Sequence, residues 1–261
     1  MTRAVPARRQ DTHRTTRCRC GSGRRCRSWV PWRALPYDSG RGQRLPAASA
    51  ARRSSRNPKG RRCLTAATPL ILASTSPYRR ELLSRLRLPF DVEVPGVDES
   101  AHAGELPGAL ALRLAAEKAR AVSLRHPRAL VIGSDQAATL DGATAIGKPG
   151  GHEQAREQLR AASGRTMQFH TALCALRASD GFDERADVVT RVRFRRLDDD
   201  EIERYLQLEQ PWDCAGAAKS EGLGIALLDA IEGDDPSALV GLPLIALVRM
   251  LRHAGLSPLG S

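Results

Sequence analysis

Apolar and polar positions in the second part of the chain recur with the spacings of strands and helices. Residues 70–73 (LILA) form a short apolar run that is typical of a buried strand. Residues 74–77 (STSP) follow, and then Leu82, Leu83 and Leu86 recur at helical spacing. Serine before proline often starts a helix, since serine caps free N–H groups and proline suits the first helical position. The pattern therefore predicts a strand that turns directly into a helix.

Strand-like and helix-like patterns of apolar residues continue toward the end of the chain. We predict further strands over residues 90–97, 129–133 (extended through 140), 167–177 and 188–194. We predict further helices over residues 107–125, 152–162, 198–208 and 241–254, and an irregular Gly-rich stretch over 216–228. Because residues 188–194 (VVTRVRF) alternate like a half-exposed antiparallel strand, the pattern favours an α/β fold with a mixed β-sheet flanked by helices.

The turn at residues 74–76 is a candidate anion site. A strand that turns through hydroxyl residues into a helix leaves backbone N–H groups pointing at one spot, which the helix dipole also makes favourable for an anion. Arg79 and Arg80 lie in the first helical turn and add planar donors suited to phosphate oxygens. An ordinary strand–helix unit with solvated arginines explains this local pattern equally well.

Charged residues that could complete such a site follow the other predicted strands. Asp135 comes directly after the apolar run at 129–133, Glu99 follows the second strand, and Lys148 occupies a loop. Ligands of α/β sheets gather at the carboxyl ends of strands. Cations there can neutralise a polyphosphate, while carboxylates hold Mg²⁺ and activate water. Taken singly, Asp135 could instead be a strand-end cap or turn residue, whereas Glu99, Lys118 and Lys148 are better explained one at a time as solvated surface residues.

Charge divides the chain into two parts. Of its 41 Lys and Arg and its 29 Asp and Glu, residues 1–67 hold 18 and 2, which leaves 23 and 27 for the rest. The first part therefore carries a net charge of +16 and the second −4. The net charge of +12 for the whole chain therefore comes entirely from the first part. Because the second part is slightly acidic, we do not expect the folded domain to bind nucleic acid.

Residues 1–67 are rich in Arg, Ser, Gly and Pro and show no sustained apolar periodicity, so we expect a disordered extension. Four cysteines lie in it, but no C-x-x-C pair occurs, which disfavours a zinc site. The segment could contact phosphates as a basic arm, and it resembles a transit peptide in composition. We prefer the interpretation that the gene start has been assigned too far upstream.

Residues 68–261 have the length of a single domain with a proper core. Cys174 and Cys214 lie in apolar surroundings and indicate reduced, packed thiols. No run approaches the roughly 18 apolar residues of a membrane span. We therefore expect a cytoplasmic domain without a membrane partner.

A series of motifs over nearly all of residues 70–260 resembles the Maf-like nucleoside triphosphate pyrophosphatases: LASTSPYRRELL, VPGVDES, LAAEKA, IGSDQ, GKP, CAGAAKSEGLGI and LVGLPLIAL. Within that family, STSP with a following aromatic residue, RR, SDQ and KSEG resemble the subfamily that acts on 7-methyl-GTP. The SGSPRR and ADT patterns of the dTTP/UTP branch do not occur. The resemblance implies a Maf/inosine-triphosphatase-like fold with a cleft between two lobes, and commonly a homodimer. It also implies hydrolysis of a nucleoside triphosphate to the monophosphate and pyrophosphate with a divalent cation, Mg²⁺ or Mn²⁺.

The resemblance also assigns roles to particular residues. Asp135 is similar to the family's proton acceptor, and Glu99 to a carboxylate near the metal. The positions that match phosphate-binding residues are Ser74, Arg79, Arg80, Lys118 and Lys148. The positions that match base-selecting residues are Tyr78, Gln136 and Glu221. A methylated guanine is positively charged, so an aromatic face and a carboxylate would both favour it over GTP.

The leading hypothesis is therefore a house-cleaning pyrophosphatase that hydrolyses 7-methyl-GTP. Two alternatives stay open at this point. One is a pyrophosphatase of the dTTP/UTP type, and the other is a non-catalytic nucleotide-binding domain whose basic arm engages nucleic acid.

Overall fold

A computed structural model describes residues 68–260. The predictions for residues 1–67, including the disordered extension and its cysteines, lie outside the described residues. The strands are β1 (Leu70–Ala73), β2 (Asp91–Glu93), β3 (Leu130–Thr139), β4 (Thr166–Arg177), β5 (Phe182–Phe194) and β6 (Leu228–Glu232). The helices are α1 (Pro77–Ser84), α2 (Pro107–Ser123), α3 (His152–Ala162), α4 (Asp199–Glu209) and α5 (Leu244–His253).

The six strands form one mixed sheet in the order β2-β1-β3-β4-β5-β6. Strand β1 is parallel to both of its neighbours, β2 and β3. The pairs β3–β4, β4–β5 and β5–β6 are antiparallel. This arrangement confirms the predicted α/β class with a mixed sheet.

The opening strand and helix form as the sequence predicts. All four residues of β1 are buried, and Ser76 caps α1 by accepting a hydrogen bond from the Arg79 amide at 3.4 Å. Pro77 occupies the first helical position. Leu82 and Leu83 are buried in the core between the sheet and α5, where Leu86 joins them just beyond the helix end.

Strand β3 contains Asp135, which the sequence placed at the carboxyl end of the apolar run 129–133, with an extension through residue 140. The strand runs unbroken from Leu130 to Thr139, which confirms the extension. Strand β1 ends at Ala73, which pairs with Gly133, whereas β4 pairs with β3 as far as Thr139. Beyond Gly133, β4 is therefore the only one of the six strands that pairs with β3. Asp135 lies in this part of β3, next to the space beyond the end of β1.

Three boundaries differ from the predictions. Strand β2 spans Asp91–Glu93 rather than residues 90–97, because β1 is too short to pair with more of it. Strand β6 was not predicted, since it is only five residues long, lies at a sheet edge and has no buried residue. Strand β5 begins at Phe182, because antiparallel pairing with β4 extends it through a polar stretch.

Helix α2 packs against β3 so closely that no side chain fits at Gly133. A Cβ atom on Gly133 would lie 2.1 Å from the carbonyl oxygen of Ala115 and 2.8 Å from the amide nitrogen of Ala119. Only glycine permits this approach. It brings Lys118, on the last turns of α2, to the part of β3 that contains Asp135. No helix within residues 68–260 combines the length and the apolarity needed to cross a membrane.

Candidate active site

A cavity of about 380 Å³ lies beside the end of β1, where β3 continues without that neighbour. Its volume falls in the range of small-molecule sites. Nine of the ten predicted site residues line it: Ser74, Tyr78, Arg79, Glu99, Lys118, Asp135, Gln136, Lys148 and Glu221. Arg80 is exposed on α1 and is not among the lining residues. The structure thus brings together side chains that are up to about 150 residues apart in the chain.

Lys118 is the centre of the charged part of this cavity. Its Nζ atom lies 2.6 Å from Oδ1 of Asp135 and 2.6 Å from Oε1 of Glu99. The Lys118 side chain is 5% exposed, that of Asp135 12% and that of Glu99 60%. A charge this deeply buried is tolerated only when it is paired. The ammonium group therefore compensates both carboxylates and holds their oxygens near one point.

Two further cations act on Glu99. Burial raises the pKa of the Glu99 carboxyl, but the hydrogen bond from Lys118 and the charges of Lys118, Lys148 and Arg79 lower it more strongly. The net pKa lies below the usual value for glutamate. Glu99 is therefore ionised at neutral pH, and three cations surround it.

Replacing Glu99 by glutamine is expected to change how stability depends on pH. The folded-state pKa of Glu99 is depressed, so the group stabilises the protein above its unfolded pKa of about 4.3 and less as pH falls through the folded value. Urea unfolding at steps from pH 7 to pH 3 should show wild type losing more stability than Glu99→Gln. A difference between the two proteins that stays constant over this range would contradict the assignment.

Arg79 is held by the carbonyl oxygen of Gly241. Its Nε atom donates a hydrogen bond to that oxygen at 3.0 Å, and the hydroxyl of Ser134 donates to the same oxygen at 3.0 Å. Burial lowers the pKa of the guanidinium, while the charges of Asp135 and Glu99 act in the opposite direction. Arginine stays a cation throughout the accessible pH range. Within residues 68–260, no hydrogen bond occupies the Nη atoms, which leaves them as donors for an anion.

The serines of the turn act mainly on the backbone around them. Ser74 is buried, and its hydroxyl oxygen accepts a hydrogen bond from the amide of Ser76 at 3.1 Å. Ser76 in turn accepts from the Arg79 amide. Two of the backbone donors that the sequence assigned to an anion thus already have side-chain acceptors. Ser74 therefore stabilises the turn, and Arg79 is better placed than Ser74 to bind an anion.

Gln136 and Tyr78 define the other part of the cavity. The side-chain nitrogen of Gln136 donates to the hydroxyl of Thr171 at 2.9 Å and to two backbone carbonyls, those of Leu239 at 3.0 Å and Ala238 at 3.2 Å. These three acceptors fix the orientation of the amide, so its oxygen is the atom left for a ligand. Burial and the neighbouring Cys214 and Asp213 raise the pKa of Tyr78 to about 12, although Lys219 opposes this shift. The phenol is therefore neutral at physiological pH.

Several lining residues escaped prediction because they carry no recognisable local pattern. Asp213 precedes the CAGAAKSEG motif, Cys214 is the first residue of that motif but was interpreted only as a packed thiol, and Phe169 belongs to a predicted strand without an assigned role. Gly241 contributes through its backbone carbonyl, a group that is present in every residue. Only Asp213, a carboxylate beside a motif, offered a signal that could have been used.

The residues present fit a divalent cation that a nucleotide helps to bind. Within residues 68–260, no three His, Cys, Asp or Glu side chains are close enough to form a complete metal site. Glu99 and Asp135 nevertheless place two carboxylates around one point. Mg²⁺ is commonly held by one or two carboxylates together with substrate phosphates. The donor set suits that mode of binding and not a closed all-protein site.

A mixed α/β sheet whose cavity combines a buried lysine, two carboxylates, an arginine and an aromatic wall defines a nucleotide-binding protein. The Maf-like protein family matches residues 69–254, and the chain belongs to this family. The 7-methyl-GTP pyrophosphatase of Cupriavidus pinatubonensis is 62% identical over 71% of this chain and 93% of that protein. The proteins of the same name from Burkholderia thailandensis and Bordetella pertussis are 65% and 60% identical, over 71% and 73% of this chain and 87% and 94% of theirs.

Among solved structures, the Ham1 protein of Staphylococcus aureus matches with a TM-score of 0.36 and 14% identity. The match covers 49% of this chain and 72% of that one. This likeness is too distant to support an argument about the site.

Proposed function

We propose that the protein hydrolyses 7-methyl-GTP to 7-methyl-GMP and pyrophosphate. The observation that carries the proposal is the Glu99–Lys118–Asp135 cluster, which shares one cavity with Arg79 and Tyr78. The cluster supplies a carboxylate base and cations for a triphosphate, and the aromatic residue supplies a wall for a base. The relatives named 7-methyl-GTP pyrophosphatase support the same reaction.

In the proposed mechanism, Asp135 is the general base. Its carboxylate accepts a proton from a water molecule, and the water oxygen bonds to the α-phosphorus. The bond between the α-phosphorus and the oxygen that bridges it to the β-phosphorus breaks, and pyrophosphate leaves with the electron pair. Lys118 holds Oδ1 of Asp135 at 2.6 Å, so the base is aimed before the substrate arrives.

Arg79, Lys118 and Lys148 would bind the phosphates and stabilise the negative charge that develops on the leaving group. Arg79 is anchored through Nε and offers its Nη atoms, whereas Lys148 extends from an exposed loop. Triphosphate oxygens would compete with Glu99 and Asp135 for the ammonium of Lys118. The cation could therefore pass from the carboxylates to the phosphates without becoming unpaired.

We further propose that Glu99 holds a divalent cation, Mg²⁺ or Mn²⁺, together with phosphate oxygens, in the vicinity of the Asp135 carboxylate. When bound, the cation would neutralise phosphate charge and polarise the reacting phosphoryl group. This proposal rests on the donor set described above and on the family resemblance. The same resemblance is the basis for proposing a cytoplasmic homodimer that clears modified nucleotides.

Three residues would choose the base. Tyr78 presents an aromatic ring, Glu221 a carboxylate and Gln136 an amide oxygen, all at the same cavity. The ring and the carboxylate favour a positively charged base, because one carries a negative quadrupole on its face and the other a full negative charge. Guanine methylated at N7 is positively charged, whereas unmodified guanine is neutral.

The test of the function is a nucleotide panel. We expect purified protein with Mg²⁺ or Mn²⁺ to release pyrophosphate from 7-methyl-GTP with a higher kcat/KM than from GTP, dTTP or UTP. Chelation of the metal should abolish the release. A preference for dTTP or UTP would contradict the proposed substrate but keep the reaction, and no release from any triphosphate would contradict both.

A further inference from the structure

The loop after the last turn of α4 carries Glu221, and one carboxylate outside the cavity holds this loop at two places. Glu209 is the last residue of α4. Its Oε1 atom lies 3.1 Å from Nζ of Lys219, and its Oε2 atom accepts a hydrogen bond from the amide of Leu223 at 2.8 Å. Glu221 is the residue midway between these two contacts. Glu209 therefore closes a short loop around the point from which Glu221 reaches the cavity.

A second contact ties the same loop to the body of α4. The hydroxyl of Tyr205 accepts a hydrogen bond from the amide of Lys219 at 3.0 Å. Tyr205 is buried and lies four residues before Glu209, so both side chains project from one face of the helix. The backbone and the side chain of Lys219 are thus both held by α4.

Close packing also restricts the conformation of the loop that carries Glu221. A Cβ atom on Gly222 would lie 2.7 Å from Oε1 of Glu209, and one on Gly224 would lie 2.5 Å from the carbonyl oxygen of Lys219. Neither position accepts a larger side chain without movement of its neighbours. The position of Glu221 is therefore determined by the contacts of Glu209 and Lys219.

Lys219 also contacts Tyr78, an aromatic residue of the cavity. Its Nζ atom lies 5.8 Å from the ring centroid of Tyr78, within the distance of a cation–π contact. Tyr78 lines the cavity, whereas Lys219 and Glu209 are not among the lining residues. The ammonium thus lies between Glu209, which it pairs with, and the ring of Tyr78, which it holds in place.

We infer that the Glu209–Lys219 pair positions both base-selecting side chains, Glu221 and Tyr78, and thereby sets the preference for a positively charged base. The inference rests on the proposed function. Neither residue touches the reacting atoms, so both act on the binding of the base and not on the chemical step. Their loss should change KM for the cationic nucleotide and leave kcat nearly unaltered.

The experiment compares Lys219→Met, Lys219→Arg and Glu209→Gln with wild type on 7-methyl-GTP and on GTP. Methionine keeps most of the length of lysine without the charge, and glutamine keeps an acceptor for the Leu223 amide. For Lys219→Met and Glu209→Gln we expect KM for 7-methyl-GTP to rise by about threefold to tenfold, and KM for GTP by less than about twofold. Lys219→Arg keeps the cation and should retain most of the preference.

Two controls frame the result. Asp199→Asn removes an ion pair with Arg160 from the first turn of the same helix and should leave both KM values unchanged. Tyr78→Leu removes the ring itself and should lose the preference at least as strongly as Lys219→Met. The inference is wrong if Lys219→Met and Glu209→Gln keep the wild-type ratio of the two KM values, or if they lower kcat equally for both nucleotides. Should Lys219→Met not fold, Glu209→Gln tests the same pair.

Failure of the proposed function would give a different result. If wild type releases no pyrophosphate from 7-methyl-GTP, the proposed substrate is wrong. Calorimetric binding of 7-methyl-GMP and GMP to the same variants then decides the positioning role. A ratio of the two Kd values that Lys219→Met changes supports that role, and an unchanged ratio overturns it.

Discussion

Asp135→Asn is expected to lower kcat for pyrophosphate release by about 10²- to 10⁴-fold, which is the usual contribution of a positioned general base. Asparagine has nearly the same size as aspartate, but its amide does not accept a proton from water at neutral pH. Lys118 keeps Glu99 as a partner at 2.6 Å, so the variant retains a compensated ammonium. Steady-state kinetics with 7-methyl-GTP should show the loss mainly in kcat.

The matched control is Asp200→Asn, which makes the same change at an exposed position in the first turn of α4, outside the cavity. It should retain wild-type activity. Thermal melting of both variants shows whether the protein still folds. An Asp135→Asn protein that is folded and keeps more than about a tenth of wild-type kcat would remove Asp135 from the role of base.

Gly133→Ala is expected to be the most damaging small substitution in the sheet. The new Cβ atom would lie 2.1 Å from the carbonyl oxygen of Ala115, a backbone atom that cannot move without α2. Overpacking of this kind costs about 1–3 kcal/mol, which lowers Tm by about 2–12 °C in a domain of this size. Displacement of α2 would also move Lys118 away from Asp135, so the folded fraction should lose activity.

Gly147→Ala provides the comparison for stability. A Cβ atom there meets no heavy atom within 4 Å, and the residue does not have a positive φ angle. Its Tm should stay within about 2 °C of wild type. If Gly133→Ala melted at the wild-type temperature, the close contact between β3 and α2 would not be the device that places Lys118.

The two arginines of α1 show a difference that the sequence could not predict. Arg79 and Arg80 have the same chemistry and are adjacent, and the sequence assigned both to phosphate. Successive helical residues point about 100° apart, so only one of the two faces the cavity. Arg79 reaches the Gly241 carbonyl, whereas Arg80 is exposed. Which arginine faces the cavity depends on the position of the segment around Gly241, which lies more than 150 residues further along the chain.

Asp135 shows the same limit in another form. The motif IGSDQ identified the residue and placed it at the end of an apolar run, with an extension through residue 140, but it did not indicate on which side the strand would be open. The strand continues because β4 supplies hydrogen-bond partners beyond Gly133. Local pattern does not contain that information, since the partner strand lies more than 30 residues further along the chain.

Elements with local signals could be predicted from the amino-acid pattern: the strand that turns through Ser76 and Pro77 into α1, the helix α3, and the mixed α/β class. The motifs also named nine of the side chains that line the cavity. How these groups meet depends on the packing of distant segments. Lys118 lies between Glu99 and Asp135 because Gly133 lets α2 approach β3, and Glu209 holds Glu221 because α4 ends beside that loop. Contacts between distant segments depend on packing, which no short stretch of sequence encodes.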